Sequence, residues 1–290
     1  MEVQITNMLK DKNHWVRIFK ISIPYILSVG MFQLIAASII GIDYRSYKVE
    51  NISTFELFVL HISGLIGTVF IIGIFLKFID KESFKNLGFQ YFLLSDIKYG
   101  LIIGLSIMTI SFIILLISSQ IVILSIKFNS IDVFFSILTF SCIALSEEIL
   151  IRGYVLGNLM KCINKYYSLF WSSVIFSLMH AANPHITWFS FFELFISGIF
   201  LGISYIYTKN LWFPIALHFS WNFFQGTLFG FNVSGMNVYS IIQQKRISDN
   251  LINGGIFGFE GSILSIIFQF TFIIIFLRIF RTKNMVRFTI

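Results

Sequence analysis

IDVFFSILTFSCIALSEEILIRGYVLGN, residues 131–158, begins as a helical crossing of a bilayer and then places Glu147, Glu148 and Arg152 inside it. About 20 apolar residues at 1.5 Å each cross roughly 30 Å of hydrocarbon, and residues 131–151 have that length. An ionisable side chain in mid-span costs about 3 kcal/mol on insertion scales, so three together call for pairing or for function.

The rest of the chain sets the same solvent. Its 290 residues are 57% hydrophobic and only 12% charged, with 36 Phe and a mean hydropathy of +0.84. A soluble domain carries far more charge, so the expected fold is an all-α polytopic helix bundle. Apolar runs fall at about 21–42, 54–79, 98–124, 131–151, 168–182, 188–206, 212–229 and 258–280. This gives about eight spans, the fifth and seventh short.

With the N-terminus inside, sixteen of the 21 Lys and Arg lie on the inner side. Only Arg45, Lys48, Lys127, Lys245 and Arg246 lie outside, so both termini are expected in the cytoplasm. The net charge of +7 then reads as topology and contact with anionic lipid, not as nucleic-acid binding. The first apolar run has no small-residue cleavage site behind it and is expected to be retained as a span. Cys142 and Cys162 read as packing residues. No linker or repeat divides residues 1–290, so one integral domain is expected. The polar, Phe-rich segment 80–97 is expected at the cytoplasmic interface.

Scanning the spans for polar side chains leaves a short set: Glu56, His61, Glu147, Glu148, Arg152, His180, Glu193, His218 and Asn222, with His185 near a turn. Glu148 and Arg152 are four apart, so they share a helix face and pair. Glu147 is turned about 100° away and keeps its carboxylate free. His180 is placed deep in a helix one turn after Phe176, and His218 and Asn222 are again four apart. From the cytoplasmic helix ends, Glu147, His180 and His218 lie about 20, 18 and 14 Å deep, so the three spans can converge on one site. Glu193 is assigned to the outer interface, with an extra cavity carboxylate as the alternative, and Glu56 and His61 are assigned to the outer interface as well. Gly198 and Gly202 read as a small-x-x-x-small packing pair.

A carboxylate and a histidine facing one polar cavity can hold and deprotonate a water. A second histidine with an amide can donate to an oxyanion. That division of labour suits peptide hydrolysis without a covalent intermediate. Neither H-E-x-x-H nor G-x-S-x-G occurs. A zinc site made from Glu147, His180 and His218 stays open as the disfavoured alternative, with three N/O ligands and a water.

These residues carry a resemblance. EEILIRG (Glu147, Glu148, Arg152), FSLMH (Phe176, His180) and HFSWN (His218, Asn222) resemble the three motifs of the CPBP family, the CAAX-processing and bacteriocin-processing (Abi) intramembrane endopeptidases. Each motif alone is weak, but three in order on separate spans are specific. The likeness is strongest over a core at 131–228. It implies that Glu147 and His180 activate water and that His218 and Asn222 form the oxyanion pocket, with Glu148, Arg152 and Phe176 in support. It also implies no certain cofactor, although a metalloprotease role has been advanced for such sites.

The expected partners are a lipid bilayer and a peptide or protein substrate entering from the cytoplasmic leaflet. The Ile, Phe, Lys and Asn bias fits an AT-rich genome, hence a bacterial plasma membrane. The alternative from another class is a non-proteolytic immunity factor or scaffold of the same fold.

Overall fold

The computed structural model describes the backbone of residues 2–42 and 52–287 and the side chains of 15–42 and 52–280. Lys10, Lys12, Arg45, Lys48, Arg281, Lys283 and Arg287, all counted in the charge balance above, lie outside the described side chains.

Among the described residues, eight longer helices and one small sheet follow in chain order: α1 (Glu2–Ile40), α2 (Thr54–Ile74), α3 (Leu94–Ile117), β1 (Ile121–Ile126), α4 (Ser130–Glu148), α5 (Lys165–Met179), α6 (Trp188–Gly202), α7 (Trp212–Phe223), β2 (Ile242–Arg246) and α8 (Ile263–Arg287). Among the described residues six helical segments are long and apolar enough to cross a membrane: Trp15–Ile40, Thr54–Asp80, Leu94–Ile117, Ser130–Leu159, Trp188–Thr208 and Ile263–Phe280. The fifth and seventh expected spans are helices α5 and α7, of 15 and 12 residues. At about 22 Å and 18 Å both fall short of the hydrocarbon thickness. Helix α7 is largely buried inside the bundle, whereas α5 buries only one side and leaves Tyr167 and Leu178 exposed near its two ends.

Local sequence sets the starts. Ser53 and Glu56 form a capping box that opens α2, Asn129 caps α4, and Thr187 with Ser190 forms a second box at α6. Each satisfies amide groups that a helix start leaves unpaired. The third expected span ends early, at Ile117, because residues 121–126 form a strand instead. It pairs antiparallel with 242–246 across a bulge at Ile123/Ser125. Val122, Ile123, Ser125 and Ile126 favour a pleated surface, a preference that helix-length hydropathy conceals.

Cross-links sort the connections onto two faces. On the face that holds the terminal ends of α1 and α8, Arg17 pairs with Asp80 at 2.9 Å and Lys161 with Glu82 at 2.6 Å. There the Tyr205 hydroxyl donates to the Leu87 carbonyl, and Tyr207 stacks on Phe280. The segment after α2 is a 3₁₀ turn at Phe84–Leu87, with Leu87 buried. On the opposite face, Thr54 donates to Asp132 at 2.6 Å, Asn129 N–H to the Tyr239 hydroxyl at 2.8 Å, and Asn183 to the Ser234 carbonyl at 3.2 Å. The two-stranded sheet lies on this same face.

Glycines let the helices approach. A Cβ on Gly100 would stand 2.7 Å from Ala216 Cβ and 2.8 Å from Leu217 N, and one on Gly104 would stand 2.4 Å from Ser220 Oγ. Helices α3 and α7 therefore touch along their backbones, which fixes the height of His218. Gly100→Val is expected to cost about 1–3 kcal/mol by overpacking. Gly73→Val, where nothing lies within 4 Å, should be neutral. Thermal unfolding of the two purified variants in detergent checks the contrast.

Candidate active site

Helix α4 delivers both glutamates at its last regular turn, and from Ile149 to Leu156 the helix widens into a π segment whose eight residues are all buried. Such widened turns re-aim side chains and recur at functional sites. Arg152 reaches back to Glu148, Nη1 to Oε1 at 2.7 Å, with both side chains at most 1% exposed. Its Nη2 donates to the Gly198 carbonyl at 3.2 Å, and the guanidinium stands 4.6 Å over the Phe176 ring. A Cβ on Gly198 would lie 2.7 Å from Ser173 Cβ, so this glycine brings α5 and α6 together and leaves its carbonyl to the arginine.

The same Glu148 oxygen has a second partner. His218 Nδ1 lies 2.8 Å from Glu148 Oε1, 70 residues away in the chain, so one carboxylate joins Arg152 on the π segment to His218 on α7. The spacing of four between Glu148 and Arg152 showed only the local half of this arrangement. No local pattern encodes the other half.

His180 is the C-cap of α5, not a residue deep in a helix. The chain turns there because Asn183-Pro184 follows and the residue before a proline avoids helical geometry. Its Nδ1 lies 2.8 Å from the Phe176 carbonyl. A carbonyl only accepts, so Nδ1 carries the proton and Nε2 is left as an acceptor. Phe176 packs against both imidazoles, 4.7 Å from His180 and 6.4 Å from His218 between ring centroids.

Both free Nε2 atoms face Glu147. Its Oε2 stands 3.7 Å from His180 Nε2 and 3.9 Å from His218 Nε2. Among the described residues that oxygen is buried with no hydrogen-bond partner. These gaps are too long for direct hydrogen bonds and suit one bridging oxygen. The three groups border a cavity of about 530 Å³ that Phe176 and Asn222 also line.

Tied Nδ1 atoms with free Nε2 atoms are what partners of metal-bound imidazoles provide. Yet among the described residues no group of three or more His, Cys, Asp or Glu is arranged to hold a metal ion. Glu147, His180 and His218 remain the residues that would hold a zinc ion in the alternative reading, and no step below runs through a metal.

Other placements differ from expectation. His61, assigned to the outer interface, lines the cavity. Glu193, assigned there too, is fully buried and accepts from Ser197, Ser265 and Gln269. Its partners on α8 lie more than 70 residues away, beyond the reach of helical spacing. Glu260, absent from the polar scan, lines the cavity wall and accepts from Ser234 N at 2.6 Å and Ser234 Oγ at 2.8 Å. It occupies a 3₁₀ turn before α8, where an expected span beginning at 258 hid it. Glu56 serves the α2 capping box, and His185 stands in a turn at φ +60°.

A comparison with known families falls on this core. The family model described as type II CAAX prenyl endopeptidase Rce1-like matches residues 129–224. The curated protein named "Putative membrane peptidase YdiL", from Bacillus subtilis (strain 168), is 29% identical over 111 residues, which cover 38% of this chain and 41% of that protein. The chain thus spans less than half the length of that relative. No solved structure matches.

Removing one partner of a buried ion pair strands the other. Arg152→Met is expected to cost about 3–5 kcal/mol, and the double change Glu148→Gln/Arg152→Met less than the single one. Unfolding midpoints of the purified variants in one detergent measure both.

Proposed function

We propose that this chain, whose assignment to the CPBP family the two matches support, is an intramembrane endopeptidase that hydrolyses a peptide bond with water held between Glu147 and His180. The observation that carries the reading is the pair of Nε2 atoms 3.7 and 3.9 Å from one unpaired carboxylate oxygen in a buried cavity. A water there donates one hydrogen to Glu147 and the other to the acceptor Nε2 of His180. Its oxygen then attacks the scissile carbonyl while Glu147 takes the first proton.

The carbonyl oxygen becomes an oxyanion beside His218 and Asn222, which stand one turn apart on α7. For His218 Nε2 to donate, the ring must carry both protons, and the Glu148 carboxylate at Nδ1 holds that form as it orients it. With His218 protonated, Glu147 and Glu148 balance Arg152 and His218, so the buried cluster is neutral in a medium that penalises net charge. When the tetrahedral intermediate collapses, Glu147 returns the proton to the departing amine. The carbon–nitrogen bond breaks, leaving one new carboxylate and one new amine. The whole cycle needs only water as co-reactant.

Removal of a general base typically costs about 10²–10⁴ in rate. Glu147→Gln and His180→Ala are therefore expected to lose cleavage by at least about a hundredfold while accumulating in the membrane like the parent. Peptidomics of cells carrying the parent or Glu147→Gln reads this as a product that disappears. Unchanged products in both variants would move the cluster to a structural role. Cleavage by the purified protein should also survive 1,10-phenanthroline; loss restored by Zn²⁺ would return the zinc alternative.

A further inference from the structure

The cavity has a direction. Its floor is Glu147, His180 and His218, and its other lining residues include Ser53, Asp132, Asn183, Ser234, Asn237 and Glu260. Every one of these six belongs to the face joined by the Thr54–Asp132, Asn183–Ser234 and Ser234–Glu260 bonds. Ser53 and Asn237 are exposed and mark the mouth. No residue of the 80–91 or 160–168 connections on the opposite face borders it.

Charge gives that direction a side. Among the described side chains, the face away from the mouth holds ten Lys and Arg, such as Arg17, Lys77, Lys85, Lys161 and Lys209. The mouth face holds three: Lys127, Lys245 and Arg246. Basic residues are retained on the cytoplasmic side, so the mouth faces outward. Outside the neutral cluster the lining carries the carboxyl groups of Asp132 and Glu260, and no described Lys or Arg borders the cavity. Around the floor the walls are apolar, with Phe140, Ile143, Leu194, Phe200 and Trp221.

We infer that the cavity is loaded from the outer side of the membrane, by a polypeptide segment that is neutral or cationic at the mouth and apolar around the bond to be cut. This deepens the proposed endopeptidase and rests on it for the cleavage step. It replaces the expected entry from the cytoplasmic leaflet. That expectation set depth from the inner helix ends, whereas direction depends on which connections wall the cavity. A segment carried across the membrane reaches such a mouth, whereas a cytoplasmic C-terminal tail does not. An acidic lining also disfavours a free carboxylate at depth and favours an internal bond.

Thiol labelling tests access without requiring turnover. In the full-length protein with Cys142 and Cys162 replaced by Ala, single cysteines are placed by Asn237→Cys at the mouth, Ile143→Cys near the floor and Lys161→Cys on the opposite face. The probes are membrane-impermeant cationic and anionic methanethiosulfonates, applied to intact cells and to inside-out vesicles. The first two positions should react in intact cells and Lys161→Cys only in inside-out vesicles. Ile143→Cys should react about tenfold faster with the cationic reagent than with the anionic one. Asn237→Cys reacting only in inside-out vesicles overturns the outward mouth, even if Ile143→Cys is silent. Equal rates for the two reagents at Ile143→Cys overturn the charge preference. An inactive protein with the expected labelling pattern would sink the endopeptidase reading alone.

Discussion

One carboxylate oxygen ties the interior together. Glu148 Oε1 meets Arg152 at 2.7 Å and His218 at 2.8 Å in a site with almost no solvent. Leaving any of the three unpaired there would cost several kcal/mol, so the contact specifies geometry. It locks the end of α4 to α7. Through the Arg152 contacts to Gly198 and Phe176 it also locks α4 to α6 and α5. Four helices are thereby placed around one point.

The consequences run outward from there. Because His218 is held by Nδ1, its Nε2 points at Glu147. Because His180 gives its Nδ1 proton to a main-chain carbonyl, its Nε2 points there too. Glycine contacts set how closely helices approach, Gly100 and Gly104 between α3 and α7 and Gly198 between α5 and α6. The turn of about 100° between neighbouring helical residues lets adjacent glutamates serve different partners. One is consumed by structure, and the other faces the cavity with an unpaired oxygen.

Much of this was legible in the chain. Apolar run length located the helices but not all their ends, since α1 starts at Glu2 rather than 21 and α3 stops at Ile117 rather than 124; one-turn spacing exposed the Glu148–Arg152 pair and set Glu147 apart. The motifs drew His180, His218 and Asn222 toward one cavity before any contact was known. What stayed hidden was long-range or non-helical: the bond from His218 to Glu148, the burial of Glu193 against α8, the place of His61, and Glu260 in a 3₁₀ turn. Hydropathy averages cannot see a strand such as 121–126 after a span. Nor can they tell which loops wall a cavity, on which the inferred entry side depends.

The central claim is that water held by Glu147 and His180 attacks the peptide bond directly, with no acyl-enzyme. The most direct measurement is intact-protein mass spectrometry of the purified protein in proteoliposomes, acid-quenched during turnover. The account predicts the unmodified protein mass at every time point. An acyl adduct on the protein would contradict it.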